Sequence, residues 1–473
     1  MSPRRAKLVC TLGPASHTRE GVRALIEAGT DVFRINFSHG DRDSHAALIA
    51  TVRRASEETG IEPAVMADLP GPKVRLGNLA EEPLRLAAGA AFVLRGEGGP
   101  GDAFGASTTY PGLARDVRAG DRILLADGVV ELVVRETRGD DVMTEVAKGG
   151  QVRSRAGVNV PAERLGLPAL TERDREALTE ALDLGVDLVA QSFVRSAADV
   201  IGLRALMGWR AVPIVAKIET QPAVGDIAAI LEQADAIMVA RGDLGVELPL
   251  EEIPALQKEL LRAARAAGKP AIVATQMLES MIHAARPTRA EASDVANAIL
   301  DGADGIMLSG ETAVGEYPLE AARAAARIAE VAEERAGGFR ASKAPCVHAD
   351  EAAAVAHAAA QIAADDPQVV AIACFTGTGR TAALLSSERP AVPIYAFVAD
   401  PRVRHGLNLR WGVTALAAEE PDSTDGMIAL MDAGLRQRGL VAEGRSVVMA
   451  ASSPAGKTGT NLLKVHHVGS AVR

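Results

Sequence analysis

Two tripeptides carry the most chemistry for their length. Lys217-Ile218-Glu219 closes the apolar run PIVA, and Arg241-Gly242-Asp243 closes the run AIMVA. Residues two apart on a strand share a face, so Lys217 and Glu219 point the same way. Glu219 and Asp243, at the ends of neighbouring strands, are two hard oxygen ligands. They suffice to hold one Mg²⁺ or Mn²⁺ ion while leaving positions for water and a substrate oxygen. A lysine beside such an ion would neutralise a transferring phosphoryl group or a developing enolate. The backbone N–H groups of Arg241–Asp243, ahead of a helix start, could receive a carboxylate. The plainer reading of the same residues is a tight turn that needs Gly242.

Other apolar runs end in the same manner. RINFSHG offers Arg34, Asn36, Ser38 and His39; AVMADL ends near Asp68; TQMLES holds Thr275 and Glu279; SGET holds Ser309 and Glu311. Singly, such side chains are ordinarily solvated. Gathered in one concave mouth they are costly unless they pair or act. After Asp68 the chain reads DLPGPKVR, with Lys73 and Arg75 placed beyond two prolines and a glycine.

These residues need a scaffold that collects strand ends. Eight short β-rich runs occur at 6–12, 31–37, 64–69, 188–193, 213–219, 236–240, 271–276 and 305–309, with helix-length segments between most of them. Thr171 followed by Asp174 is a helix start. Alternating strands and helices predict a parallel sheet covered on both faces, and eight strands close a (β/α)8 TIM barrel whose C-terminal strand ends carry function. An open doubly wound sheet is the competing reading, but LGPAS after the first run is not its glycine fingerprint. Between Pro70 and Pro168 the helical period vanishes, and short alternating runs with Gly and Asp turns predict a small antiparallel β domain inserted after the third strand. After about residue 340 a further α/β unit follows. The predicted division is barrel 1–69 and 166–338, inserted domain 70–165, and C-terminal α/β domain 345–473.

The 473 residues suit two or three domains, and the formal charge of −10 without a basic block argues against nucleic acid. No apolar stretch is long enough to span a bilayer, and the opening MSPRRAKLVC lacks a signal-peptide core. Cys10, Cys346 and Cys374 are far apart with no CxxC, which argues against zinc and a disulfide framework. A reduced cytoplasmic protein is expected.

In order along the chain, TLGPAS, RINFSHG, VAKIE, VARGDLGVE, ATQMLESM, PTRAEASDVANAILDGADGIMLSGETAVGEYP and the closing GTN resemble the pyruvate kinase family. The resemblance implies a barrel with an inserted β-barrel lid and a C-terminal regulatory α/β domain, usually a homotetramer. It also implies phosphoryl transfer from phosphoenolpyruvate to ADP. Residue by residue, it makes Glu219 and Asp243 the metal ligands and Lys217 the charge stabiliser. It makes Arg34 a phosphate contact, Thr275 part of the proton path, and Gly242 with Asp243 the carboxylate site. Asn36, His39 and Arg75 become nucleotide contacts, and Ser309 and Glu311 supporting residues. Thr376, Thr378, Arg380 and Thr381 of FTGTGRTA match the loop that takes an effector's phosphate; an ordinary strand-to-helix turn is the plainer reading.

Three departures or distractions follow. Where relatives carry lysine in KGVN, this chain has Ala156, with Arg155 just before it. Members that need K⁺ hold it near residues matching Asn36, Ser38 and Asp68 and carry glutamate in place of Lys73; here Lys73 and Leu69 point to a K⁺-independent enzyme, Lys73 supplying the charge beside Asp68. ASSPAGKT at 451–458 has P-loop spacing, but GTNLLKVHHV after it reads as a strand, which excludes an NTPase. A metal-dependent aldolase or mutase acting on a pyruvate enolate is the alternative activity.

Overall fold

In the computed structural model, residues 4–126, 128–161, 164–335, 350–454 and 459–470 are described. Eight parallel strands close a barrel: β1 (Lys7–Thr11), β2 (Val32–Asn36), β3 (Ala64–Asp68), β4 (Leu188–Gln191), β5 (Ile214–Ile218), β6 (Ala236–Ala240), β7 (Ala271–Ala274) and β8 (Gly305–Leu308). Each expected run forms its strand. All are buried along their length or nearly so, as a sheet covered on both faces requires. Val9, Val32, Met66, Val215, Met238, Ile272 and Met307 fill the interior. A larger apolar layer, including Phe33, Val65, Ile237 and Val273, binds the strands to the outer helices. Barrel closure sets β2 beside β3 with Asn36 opposite Asp68, and β5 beside β6 with Lys217 opposite Met238.

The insert after β3 has its own core around Phe92, Leu94, Ile123, Leu132 and Val146. Among the described residues its strands make a six-stranded sheet and a two-stranded ribbon, Leu84–Leu86 with Gly150–Val152, and no single sheet closed on itself. The chain returns to the barrel at the helix Glu172–Asp183, where Thr171 and Asp174 form the expected capping box.

The C-terminal unit is a five-stranded sheet: β9 (Val369–Phe375), β10 (Ile394–Val398), β11 (Val413–Ala417), β12 (Ser446–Ala451) and β13 (Leu462–His467), in the order β11-β10-β9-β12-β13 with only β13 antiparallel. Residues 455–458 of the P-loop-like stretch lie outside the described residues, and the strand expected after them is β13. Leu409 of this unit packs with the barrel interior, and Trp411 lies between Arg5 and Arg389, 5.3 and 4.8 Å from their guanidinium carbons. Cys10 and Cys374 are wholly buried, which pushes both thiols up to about 12 and makes them core residues. Cys346 and the boundary at 338–345 lie outside the described residues.

Candidate active site

The C-terminal ends of β2, β3, β4 and β5 converge on one charged cluster. Lys217 Nζ stands 2.8 Å from Glu219 Oε1 and 3.2 Å from Asp68 Oδ1, and it donates to Ser192 Oγ at 2.7 Å. Arg34 Nε donates to the other Asp68 oxygen at 2.6 Å, and its Nη1 to Thr11 Oγ1 at 3.2 Å. Asp68 and Glu219 are each 1 % exposed. Buried carboxylates of this kind persist only when charge and hydrogen bonds surround them. Burial alone would raise the Asp68 carboxyl, but Lys217 and Arg34 outweigh it and hold it below the usual carboxylate range. Burial alone would lower the Lys217 ammonium; Asp68 and Glu219 reverse that and raise it.

Glu219 is pushed up, first by burial and further by the nearby charge of Asp243, although Lys217 opposes both. Three carboxylates (Asp68, Glu219, Asp243) thus face two cations (Arg34, Lys217), an excess of negative charge at the mouth. Among the described residues no group of three or more His, Cys, Asp or Glu is arranged to hold a metal by itself. A pair of carboxylates with spare negative charge fits a hard divalent ion that keeps water and substrate oxygens in its shell.

Thr275 and Gln276, just past β7, have φ of 71° and 53°. Left-handed backbone at a β-branched residue is strained and concentrates at functional sites. Thr275 Oγ1 donates to Ala274 O at 2.5 Å and accepts the Gly242 amide at 2.8 Å. Thr275 and the Gly242–Asp243 turn are therefore one unit. Gly242 has no positive φ, and an added Cβ would meet only ordinary contacts at 3.5 Å, so the turn does not need glycine for its own geometry. Arg241 braces this turn by donating to Asp294 at 2.7 Å and to Thr275 O at 2.8 Å. The buried Glu311 accepts the amides of Leu278 and Ser309 at 3.0 and 2.7 Å, tying the loops after β7 and β8 together. Glu279 is exposed.

Other expected residues stand further out. Asn36 Oδ1 accepts the Ser38 amide at 3.0 Å, and His39 is exposed on the following turn. Arg75 is held at the lid hinge, its Nη1 donating to Arg155 O at 3.1 Å. Arg155 is exposed with φ of 64°, and Ala156 packs against the lid core. Lys73 is exposed and lines a cleft of 1160 Å³ between lid and barrel, together with Gly242, Asp243 and Gln276. Lys73 makes no direct ion pair with Asp68, whose two oxygens are taken by Arg34 and Lys217.

In the C-terminal unit, Thr376 Oγ1 accepts the Gly379 amide at 3.0 Å and Thr381 Oγ1 meets Thr460 Oγ1 at 2.6 Å. Thr378 Oγ1 lies 3.5 Å from the Arg380 amide, and the Arg380 guanidinium pairs with Asp350.

Sequence reasoning missed Ser192. It surveyed the ends of β2, β3 and β5 to β8 and passed over β4, whose polar ending QSF was the available signal. Ser192 Oγ touches Lys217 and also donates to Leu69 O at 2.7 Å, while the next amide, Phe193 N, donates to Glu219 Oε2 at 2.8 Å.

A parallel barrel with a buried lysine–carboxylate cluster, spare acidic charge and a strained hydroxyl turn at its mouth defines an enzyme of metal-assisted phosphoryl or enolate chemistry. The pyruvate kinase barrel domain family matches residues 3–322, and the pyruvate kinase alpha/beta domain family matches residues 353–466. The chain belongs to the pyruvate kinase family. It is 47% identical over 471 residues to a pyruvate kinase of Mycobacterium tuberculosis, covering 98% of this chain and 99% of that one. It is 42% identical over 476 residues to a pyruvate kinase of Geobacillus stearothermophilus, covering 98% of this chain and 80% of the relative. A crystal structure of a pyruvate kinase from Cryptosporidium parvum superposes with a TM-score of 0.90 at 32% identity, covering 98% of this chain and 96% of that one.

Proposed function

We propose that this chain transfers the phosphoryl group of phosphoenolpyruvate to ADP, giving ATP and, after protonation of the enolate carbon, pyruvate. The observation that carries this reading is the Lys217 ammonium held between Asp68 and Glu219, 2.8 Å from the latter, with Asp243 close by. Phosphoryl transfer asks the protein for little covalent chemistry and much fixed positive charge. Lys217 supplies one such charge at a place where it reaches both the moving phosphoryl oxygens and the enolate oxygen. Arg34, braced by Asp68 and Thr11, presents its guanidinium toward the phosphate with no freedom left to lose. Glu219 and Asp243 would hold a Mg²⁺ or Mn²⁺ ion, which would supply positive charge against the negative charge of the substrates' oxygens. The Gly242–Asp243 turn receives the substrate carboxylate. Thr275, its hydroxyl already within the Ala274–Gly242 hydrogen bonds, lies on the path by which a solvent proton reaches the enolate carbon. Asn36, His39 and Arg75 face the nucleotide.

The proposal has four further parts. Activity does not require K⁺: Lys73 lends a fixed positive charge through the cleft it shares with Asp243, without a direct pair to Asp68. A phosphorylated metabolite binds at Thr376, Thr378, Arg380 and Thr381, displacing the exposed Asp350 from Arg380. The chain assembles as a homotetramer; an apolar groove of 970 Å³ between the helices Arg289–Leu300 and Pro318–Arg335, with Leu300 and Val331 exposed, supports a subunit contact there. The enzyme works in the cytoplasm; among the described residues no helix is long and apolar enough to cross a membrane.

The test is a pair of isosteric changes, Glu219→Gln and Asp243→Asn. Each should lower turnover by about a thousandfold or more in a folded protein, since a neutral amide does not compensate a divalent charge. Near-normal turnover in either variant refutes that residue's role.

A further inference from the structure

The two connections of the inserted domain meet at a single turn of the barrel, Ser192–Arg195, directly after β4. On the incoming side, Ser192 Oγ donates to Leu69 O at 2.7 Å, and Gly71 passes so close that an added Cβ would lie 2.6 Å from Phe193 Cδ2 and 2.9 Å from Ser192 Cβ. Gly71 also has φ of 70°. Contacts that short exclude any side chain there, so the hinge backbone lies flat on the turn. On the outgoing side, the Arg195 guanidinium donates to Leu165 O and Leu167 O, both at 2.9 Å. One fully buried carboxylate joins the two sides: Asp174 accepts the Gly71 amide at 2.8 Å on one oxygen and the Thr171 amide at 2.8 Å on the other.

The same turn sets the catalytic charges. Ser192 Oγ receives Lys217 Nζ at 2.7 Å, and the Phe193 amide donates to Glu219 at 2.8 Å. Phe193 holds φ of 53°, a left-handed conformation that an aromatic residue adopts only when its surroundings fix it. A guanidinium clamp, a steric seat and a strained residue thus coincide in four positions, and the Asp174 clasp ties the same two connections to each other.

We propose that the turn Ser192–Arg195 is the fulcrum of the lid: it grips both of the lid's connections and, through Ser192 and Phe193, fixes Lys217 and Glu219, so that lid position and catalytic geometry are set together. Ser192 and Arg195 are positioning residues in this scheme. Arg195 acts through the outgoing connection, since among the described residues its guanidinium bonds to the Leu165 and Leu167 carbonyls of that segment. The inference rests on the kinase reading above, and the active parent enzyme is the reference for every variant.

The experiment uses the full chain carrying Cys346→Ser, with spin labels at Asp140→Cys on the lid and Trp209→Cys on the barrel, both exposed positions. The lid–barrel distance distribution is measured beside kcat and KM. Arg195→Met should broaden the distribution and lower kcat about tenfold, within the range that a sub-ångström misplacement costs. Arg195→Lys, whose ammonium still reaches one carbonyl, should fall between parent and Met variant on both readouts, and it decides the matter if the Met variant does not fold. Ser192→Ala, which removes the bonds to Leu69 O and to Lys217 together, should also broaden the distribution and lower kcat. An unchanged distribution in the Arg195 variants overturns the proposal, as does a broadened one with parental kcat. An inactive parent would instead refute the kinase reading.

Discussion

Lys217→Met removes the ammonium that touches Asp68, Glu219 and Ser192 while keeping much of the side chain's length. The two carboxylates do not suffer equally. Asp68 retains Arg34 at 2.6 Å, whereas among the described residues Glu219 keeps only the Phe193 amide at 2.8 Å. Stranding one buried carboxylate in this way costs about 3 kcal/mol of stability, the lower end of what breaking a buried pair costs. Catalysis should lose more than that. A preorganised donor aimed at developing charge contributes on the order of 10²–10³ in kcat, and here one ammonium serves both the phosphoryl oxygens and the enolate. The expected result is a fall in kcat of about a thousandfold, with KM for phosphoenolpyruvate within about fivefold of the parent, the pattern of an interaction made chiefly in the transition state. Steady-state rates coupled to pyruvate reduction give both constants, and a urea melt gives the stability. A variant with kcat within tenfold of the parent, or one whose defect lies wholly in KM, would refute the assignment of Lys217.

Asp187 offers a pH test away from the active site. Burial would raise its carboxyl, but hydrogen bonds from His405 and the Val65 amide, and the charge of Arg53, hold it below the ordinary range. A depressed folded value contributes stability above the unfolded value, about 3.9, that is lost as pH falls through the folded one. Asp187→Asn should therefore cost about 2–3 kcal/mol at pH 7 in urea melts, and the gap to the parent should close toward pH 3; a gap independent of pH contradicts this. Full activity is expected with Mg²⁺ in buffer free of K⁺ and NH₄⁺, and Lys73→Glu should be poor until K⁺ is added; strong K⁺ activation of the parent would show the reading of Lys73 to be wrong. Arg380→Ala should abolish activation by a sugar phosphate or nucleoside monophosphate while leaving basal turnover intact. If no such metabolite shifts the parent's saturation curve, the loop is structural.

The barrel was legible because parallel strands covered on both faces read as short unbroken apolar runs, and AVMADL or AIMVA allow little else. Lys217, Glu219 and Asp243 were legible for a related reason: charge directly after such a run sits at the mouth. Contacts between strands were not. Ser192 reaches Lys217 because β4 and β5 pair with Ala190 beside Val215, a register that the sequence does not display. Lys73 illustrates the same limit: the sequence sets it near Asp68, but only the Gly71 turn shows that it lies in the cleft, with Asp68 paired from β2 and β5. The plainer reading of the Gly242 turn could be set aside only with its backbone geometry, and the sheet order within the lid depends on long-range pairing that alternation alone leaves open.

The central claim is that phosphoryl groups pass from phosphoenolpyruvate to ADP at the Lys217–Glu219–Asp243 cluster. Phosphorus NMR of the purified protein with phosphoenolpyruvate, ADP and Mg²⁺ tests it most directly. The account predicts that the phosphoenolpyruvate signal declines as the γ-phosphate of ATP grows in equal amount, with no change when ADP is omitted. Stable phosphoenolpyruvate in the full mixture, or its loss without ADP, would contradict it.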